Sequence, residues 1–175
     1  MKLMSNHAQR KFWHFWARCM MRNSLALVRK IIAFTCTKRS DRLMLMEAFV
    51  LTGIYRTMIF LLPFSKYKRH IGIHNMETPF QIGTKEYAVV KKVSWAVETV
   101  SRYTPWKSKC FVQALAAQRM LKRRDIDSTM YLGVSRNGDD GMKAHAWLRC
   151  GNVYVTGGNG SREFTEVARF ASRRF

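Results

Sequence analysis

The sequence predicts an α+β domain in which helices come first and a small antiparallel sheet follows. Residues 85–103 and 108–123 each repeat apolar side chains at helical spacing, and residues 128–156 then change to the two-residue alternation of strands. Helical runs followed by strand runs indicate an α+β arrangement rather than alternating β-α-β units. At 175 residues the chain is long enough to bury a core without disulfides or metals.

The first 40 residues are predicted to be a basic, aromatic, helical extension, and residues 41–175 to be the main domain. In the extension, apolar rings alternate with cations, and helical periodicity runs from about residue 8 to residue 36. Two interpretations stay open. The extension could pack its aromatic rings on the main domain, or it could contact a membrane surface or an acidic partner.

The net charge of +20 favours an anionic partner, which could be nucleic acid, anionic lipid or an acidic peptide. No recognised nucleic-acid-binding motif accompanies the charge, so we predict no nucleic-acid role. The four cysteines have no paired spacing, which favours reduced thiols in the cytoplasm. We therefore expect a cytoplasmic protein, and an anionic membrane surface is the alternative contact that its charge favours.

Residues 43–64 form an apolar segment about as long as a membrane span. Glu47 and Arg56 interrupt it, and each costs about 2.5–3.5 kcal/mol at a bilayer centre. Because they are nine residues apart, they point to opposite sides of a helix and cannot pair. We therefore favour a buried or membrane-surface helix that ends near Pro63. No cofactor or metal site is predicted in the chain.

The run at 85–103 predicts an amphipathic helix whose core face carries Val89, Val93, Ala96 and Val100. Residues 65–84 are rich in turn formers and are interpreted as a connector. After the second helix, the strands 128–134, 142–149 and 153–156 are separated by turns that contain Gly, Asn and Asp.

Cys110 lies near the start of the second helix, where Ser108 is the expected N-cap residue. Backbone amides and the positive end of the helix dipole favour a thiolate at such a position. Cys110 also shares a face with Ala114, Ala117 and Leu121, which should pack on the sheet. The thiol is therefore either a nucleophile at the helix–sheet junction or an inert core residue.

His145 lies on the middle strand, on the same face as Lys143 and Trp147. A cysteine at a helix start followed by a strand histidine suits a nucleophile and its base, although a structural histidine fits the alternation equally well. A third group on the next strand should orient the imidazole. Depending on which residues form the turn, residue 156 or residue 158 lies opposite His145. No acidic residue lies there, and a backbone carbonyl, a water or the Thr156 hydroxyl could orient the ring.

Three stretches carry a family resemblance: WKSKCFVQALAAQRMLKRRDIDSTMYLGV, KAHAWLRCGNVYVTGG and FTEVARF. Together with the helix DRLMLMEAFVLTGIYRTMIFLLPF, they resemble the peptidase half of lasso-peptide processing proteins, which are transglutaminase-like cysteine hydrolases. The resemblance covers about residues 41–171. It implies a transglutaminase/papain-like core with a cysteine-bearing helix on a small antiparallel sheet, and it makes Cys110 and His145 the catalytic pair. Many members have an Asp as the third catalytic residue, and the corresponding position in this sequence is Gly157.

The resemblance implies a leader peptidase that acts in lasso-peptide biosynthesis. Its partners would be a precursor peptide, a separate leader-recognition protein and an ATP-dependent lasso cyclase. Cys110 would form a thioester with the scissile carbonyl, and His145 would transfer the protons. Trp106, Lys107 and Trp147 are the candidates that line the substrate or oxyanion pocket.

Two other functions stay open at this stage. One is a transglutaminase-like amidase or acyltransferase that acts on a different peptide, because the thiol step is the same. The other is a non-catalytic basic scaffold for precursor, cyclase or membrane, which the missing acid and the charge of +20 favour.

Overall fold

The structure is a computed structural model that describes residues 38–63, 65–66, 71–106, 108–136 and 141–173. The chain divides into two compact units, Met1–Arg42 and Leu43–Phe175. Nearly all of the predicted extension lies outside the described residues, so its helical character and the division after residue 40 stay predictions.

Three helices in the described part of the chain precede nearly all of the sheet: α1 Arg39–Leu61, α2 Thr84–Tyr103 and α3 Cys110–Lys122. The strands are β1 Ile73–His74, β2 Ser128–Arg136, β3 Met142–Cys150, β4 Val153–Thr156 and β5 Thr165–Ser172, with a 3-10 turn at Ser161–Glu163. This order confirms the predicted α+β class. Helix α1 ends just before Pro63, whose ring disfavours helical geometry in the residue that precedes it.

The strands form one antiparallel sheet in the order β1-β5-β2-β3-β4. Strand β5 was not predicted, although it lies beside β2 in the middle of the sheet. The sequence pattern that corresponds to β5 is a short alternation, in which Ala168 and Phe170 face the core while Val167 is exposed. The two-residue β1 lies within the segment that we interpreted as a connector.

The core lies between the helices and one face of the sheet. Helix α2 buries Val90, Val93, Ala96, Val97 and Val100, and helix α3 buries the predicted stripe of Ala114, Ala117 and Leu121. The sheet contributes Met130, Ala146, Leu148, Cys150, Val155 and Phe170, and α1 adds Leu45, Ala48 and Leu51. Because Ala146 and Leu148 face this core, strand alternation directs His145 and Trp147 to the other face of β3.

Helix α3 begins one residue later than an N-cap at Ser108 would place its start. The N-cap residue is Lys109 and no side chain caps the helix, so the prediction for Ser108 was wrong. The Ser108 hydroxyl lies 3.1 Å from the Thr104 hydroxyl instead, and the Ser108 carbonyl accepts a 2.8 Å hydrogen bond from the Gln113 amide. These contacts hold the turn before the helix and leave Cys110 as its first residue.

Candidate active site

Cys110 is a free cysteine at the first residue of α3. Its side chain is half-buried and packs against the edge of the core, so the thiol is both held and reachable. The first amides of a helix have no partner within the helix, and they point toward its N-terminal end. A thiolate, or the oxyanion of an acyl intermediate, would meet hydrogen-bond donors there.

His145 is held by the backbone of the segment after β4. Its Nε2 lies 2.8 Å from the carbonyl oxygen of Gly157. A carbonyl oxygen can accept a hydrogen bond but cannot donate one, so the neutral ring carries its proton on Nε2. The lone pair is therefore on Nδ1, which is the atom that can act as a base.

Two aromatic rings fix the plane of this imidazole. The Trp147 ring stacks at a centroid distance of 5.8 Å, and the Phe164 ring lies 4.9 Å away. Trp147 itself stacks on Tyr131 at 5.6 Å with an interplanar angle of 11°. His145 is thus part of an aromatic row on the sheet face opposite the core.

A buried arginine supports the far end of that row. Arg149 is 4% exposed, and its guanidinium donates to the Tyr131 hydroxyl at 2.8 Å and to the Gly151 carbonyl at 2.6 Å. The Tyr131 hydroxyl in turn donates to Glu77. Because burial and the hydrogen bond to Glu77 disfavour the phenolate, the pKa of Tyr131 is raised. Sequence analysis did not identify this network, since its members are far apart in the chain.

A β-bulge explains which group reaches His145. The turn at Gly151 and Asn152 pairs Cys150 with Val153, but a register shift then places Thr156 opposite Leu148. Both predicted partners of residue 145, residue 156 and residue 158, were therefore wrong. Strand β4 ends before it reaches His145, so of the three groups left open the backbone carbonyl, that of Gly157, orients the ring.

Gly157 has no room for a side chain. Its φ is +68°, and an added Cβ would lie 2.5 Å from the Ala146 carbonyl oxygen and 3.1 Å from the Trp147 Cα. The aspartate of the family pattern cannot occupy this position without a shift of the backbone. The loop has instead placed a carbonyl oxygen where it orients the ring.

Thr156 does not bond to the imidazole. The residue is 9% exposed, and its hydroxyl oxygen is buried with no hydrogen-bond partner among the described residues. The orienting hydrogen bond that we considered for Thr156 is made by the Gly157 carbonyl instead.

The predicted pocket residues are placed in different regions. Trp147 is adjacent to His145, as described above. The Trp106 ring packs against Phe49 on α1 at 4.9 Å and covers Gly53, and its indole nitrogen is buried without a partner among the described residues. Lys107 lies outside the described residues.

A cleft of about 740 Å³ lies between the neighbours of the two candidate catalytic residues, although neither Cys110 nor His145 lines it. It is lined by Ser94 and Glu98 of α2, by Gln113 of α3 and by the loop from Tyr154 to Glu163. Gln113 is one turn after Cys110, and Gly157 in this loop holds His145. The glycine-rich GGNG sequence at 157–160 was the signal for this wall, and sequence analysis did not use it.

Among the described residues, no hydrogen bond joins the Cys110 thiol to His145. Catalytic hydrogen bonds are often long without substrate and shorten when it binds. The described residues also contain no group of three His, Cys, Asp or Glu side chains that could hold a metal ion.

The Cys150 thiol has different surroundings. It is 2% exposed and donates a hydrogen bond to the Asp127 carbonyl at 3.0 Å. Burial, with a smaller contribution from nearby acidic groups, raises the pKa of this thiol to about 11. Cys150 is therefore a neutral core residue at ordinary pH.

Comparison with known proteins gives one match. The transglutaminase-like superfamily matches residues 58–169, a region that contains Cys110, His145 and the cleft loop. No curated protein and no solved structure matches the chain significantly. The α+β fold agrees with this match, and thiol-based hydrolysis or acyl transfer is consistent with it. Since the match covers well over half of the chain, the protein belongs to the transglutaminase-like superfamily.

Proposed function

We propose that this protein is a cysteine peptidase that removes the leader peptide from a lasso-peptide precursor. The observation that carries the proposal is the hydrogen bond between His145 Nε2 and the Gly157 carbonyl, which leaves Nδ1 as the base. The ring is held by Gly157, which lines a cleft together with Gln113, one turn after Cys110 on α3. The resemblance of the Cys110 and His145 motifs to lasso-peptide processing proteins supplies the substrate class.

The chemistry would be acyl transfer in two steps. His145 Nδ1 takes the thiol proton, and the Cys110 sulfur attacks the scissile carbonyl carbon. The C–N bond then breaks, the leaving amine receives the proton from the imidazolium, and a thioester remains. A water molecule that gives its proton to Nδ1 hydrolyses the thioester and restores the thiol. Amides at the start of α3 would donate to the oxyanion.

The Gly157 carbonyl would replace a carboxylate in orienting the ring. A carbonyl fixes the tautomer through one hydrogen bond, but it carries no full negative charge to stabilise an imidazolium. We therefore expect the thiol and imidazole of this protein to form an ion pair less readily than those of members that have the aspartate.

The proposed partners follow from the same resemblance. A separate recognition protein would hold the leader, as the resemblance of α1 to the stand-alone members of this family implies. An ATP-dependent cyclase would close the ring of the released core peptide. The charge of +20 suits a leader that carries acidic residues.

The test is mass spectrometry of the precursor peptide after incubation with the full chain and the recognition protein. Wild type should cut at one junction, and Cys110→Ala should lose the cleavage entirely. Cys150→Ala is the matched control, since it removes a thiol that the mechanism does not use. Full cleavage by Cys110→Ala, or loss of cleavage in both variants when both remain folded, would contradict the proposal.

The second candidate is a non-catalytic scaffold. It is favoured by one observation, namely that Cys110 and His145 are not hydrogen-bonded among the described residues. A scaffold would bind the precursor equally well as wild type and as Cys110→Ala, and neither protein would produce a cleaved peptide.

A further inference from the structure

Helix α1 has an apolar face toward solvent as well as one toward the core. Leu45, Ala48 and Leu51 are buried. On the opposite side, successive steps of three, four, four and seven residues align one exposed row, formed by Leu43, Met46, Val50, Ile54 and Leu61. In the solvent-facing row of an ordinary surface helix these positions would be polar. Thr57 is the one polar residue in this row, and an exposed row that is otherwise apolar marks a contact surface.

The structure ties α1 to the rest of the fold. Glu47 on this helix forms ion pairs with Arg123 at 3.1 Å and with Arg124 at 2.7 Å, just after the end of α3. By length and hydropathy α1 could cross a membrane. Its buried side chains and these ion pairs would have to be given up for it to do so, so the helix is better suited to lie along a surface.

A basic cleft borders the apolar row. It has a volume of about 570 Å³ and shares Ile54 with the row. Leu51 and Leu115 form part of its floor, and Arg119 and Arg173 lie at its rim. None of the described residues that line this cleft is acidic. The surface therefore combines an apolar strip with positive charge.

We propose that the exposed row of α1 and the adjacent basic cleft dock the protein on an anionic lipid bilayer, with α1 parallel to the membrane plane. Apolar side chains of such helices enter the boundary between headgroups and acyl chains, and cations beside them contact lipid phosphates. This surface is separate from the cleft lined by Gly157 and Gln113, and the inference does not depend on the proposed peptidase activity.

Charge argues against the other occupants of this surface. A second copy would bring another net charge of +20 against the same basic rim. Residues 1–37 of the chain contain no acidic residue, so they could cover the apolar row but could not neutralise the rim. An anionic bilayer provides both an apolar layer and negative charge.

Vesicle flotation of the full chain tests the proposal. Wild type should float with vesicles that contain phosphatidylglycerol, and it should stay in solution with pure phosphatidylcholine vesicles. The double variant Val50→Ser/Ile54→Ser should lower the partition coefficient at least about tenfold, because it removes two inserting side chains. Val167→Ser, at a residue that is 60% exposed on β5, is the matched control and should bind like wild type.

The electrostatic part has its own variant. Arg119→Gln should weaken binding to the anionic vesicles by a few-fold and should reduce its dependence on salt. Thermal unfolding of each variant should match wild type, because the substituted side chains are exposed.

Three results would overturn the proposal. One is equal flotation with both kinds of vesicle, and another is unchanged binding by the double variant. The third is a dimer, seen by light scattering without lipid, that the double variant dissociates, since this would assign the row to a second copy of the chain.

Discussion

The surroundings of Cys110 and of Cys150 differ in exposure and in position within the fold. Cys110 is half-buried at the first residue of helix α3. Cys150 is 2% exposed, is hydrogen-bonded to a carbonyl, and has a pKa raised to about 11 by burial. The difference shows that position in the fold, rather than residue type, decides which thiol can be a nucleophile.

The two regions also differ in how β3 uses its neighbours. Near Cys150 the strand pairs directly with Val153, and the core covers the side chain. Near His145 the pairing of β3 with β4 has ended, and the carbonyl oxygen of Gly157 contacts the imidazole ring instead. The Cys150 end of β3 is therefore part of the packed core, whereas the His145 end carries the candidate catalytic base.

The largest expected effect is in alkylation of the two thiols. With iodoacetamide at pH 8, Cys110 should react at least about a hundredfold faster than Cys150, because the thiolate is the reactive form and Cys150 remains protonated and covered. Peptide mapping by mass spectrometry assigns the label to each position. Comparable rates in the folded protein would remove the distinction between the two regions.

Substitution of Gly157 should cost about 3 kcal/mol of the free energy of unfolding, because it combines a positive φ with a clash against the Ala146 carbonyl. Gly157→Ala and Gly157→Asp are both expected to lower thermal stability, and Gly157→Asp should not increase peptide cleavage. Gly141→Ala is the control, since its φ of +75° is similar but no atom lies within 4 Å of an added Cβ. If Gly157→Asp were stable and more active, our description of the His145 end would be wrong.

The raised pKa of Cys150 should make stability depend on pH above 9. The native state keeps this proton while the unfolded state releases it, so the free energy of unfolding falls as pH rises from about 9 to about 11. The loss should be about 2 kcal/mol, and it should be absent in Cys150→Ser. Denaturant titrations of both proteins at several pH values measure the difference, and identical pH profiles would contradict it.

If His145 is the base for Cys110, as the proposed mechanism requires, its loss should slow labelling of the thiol as well as catalysis. His145→Gln should slow alkylation of Cys110 at pH 7 by about tenfold, since the thiol would lose its proton acceptor. The slow rate at Cys150 should not change, which makes Cys150 an internal control. An unchanged alkylation rate at Cys110 would show that His145 does not act as the base for this thiol.

The smallest expected effect concerns the Thr156 hydroxyl. Because this oxygen is buried without a partner among the described residues, Thr156→Val should leave stability unchanged or raise it by less than about 1 kcal/mol. If cleavage falls while stability holds, the hydroxyl contacts the substrate. A clear loss of stability would mean that the hydroxyl has a structural partner.

Local patterns were sufficient for much of the fold. The apolar spacing of Val93, Ala96 and Val100 predicted α2, and the alternation around Trp147 predicted β3 with its two faces, because both patterns depend on nearest neighbours along one element. Strand β5 was missed, since its inward-facing residues are few and its partners are far away in sequence. The prediction that Ser108 caps α3 was wrong, because the Ser108 hydroxyl contacts Thr104 instead of the helix.

The sequence by itself determined the α+β class, the position of Cys110 at a helix start and the position of His145 on a strand. Tertiary structure alone decided which group holds the imidazole. That choice depends on a bulge between β3 and β4, on the positive φ of Gly157, and on the close approach of its backbone to Ala146. A side-chain pattern does not encode backbone carbonyls, so the group that orients His145 became visible only when the strands were paired.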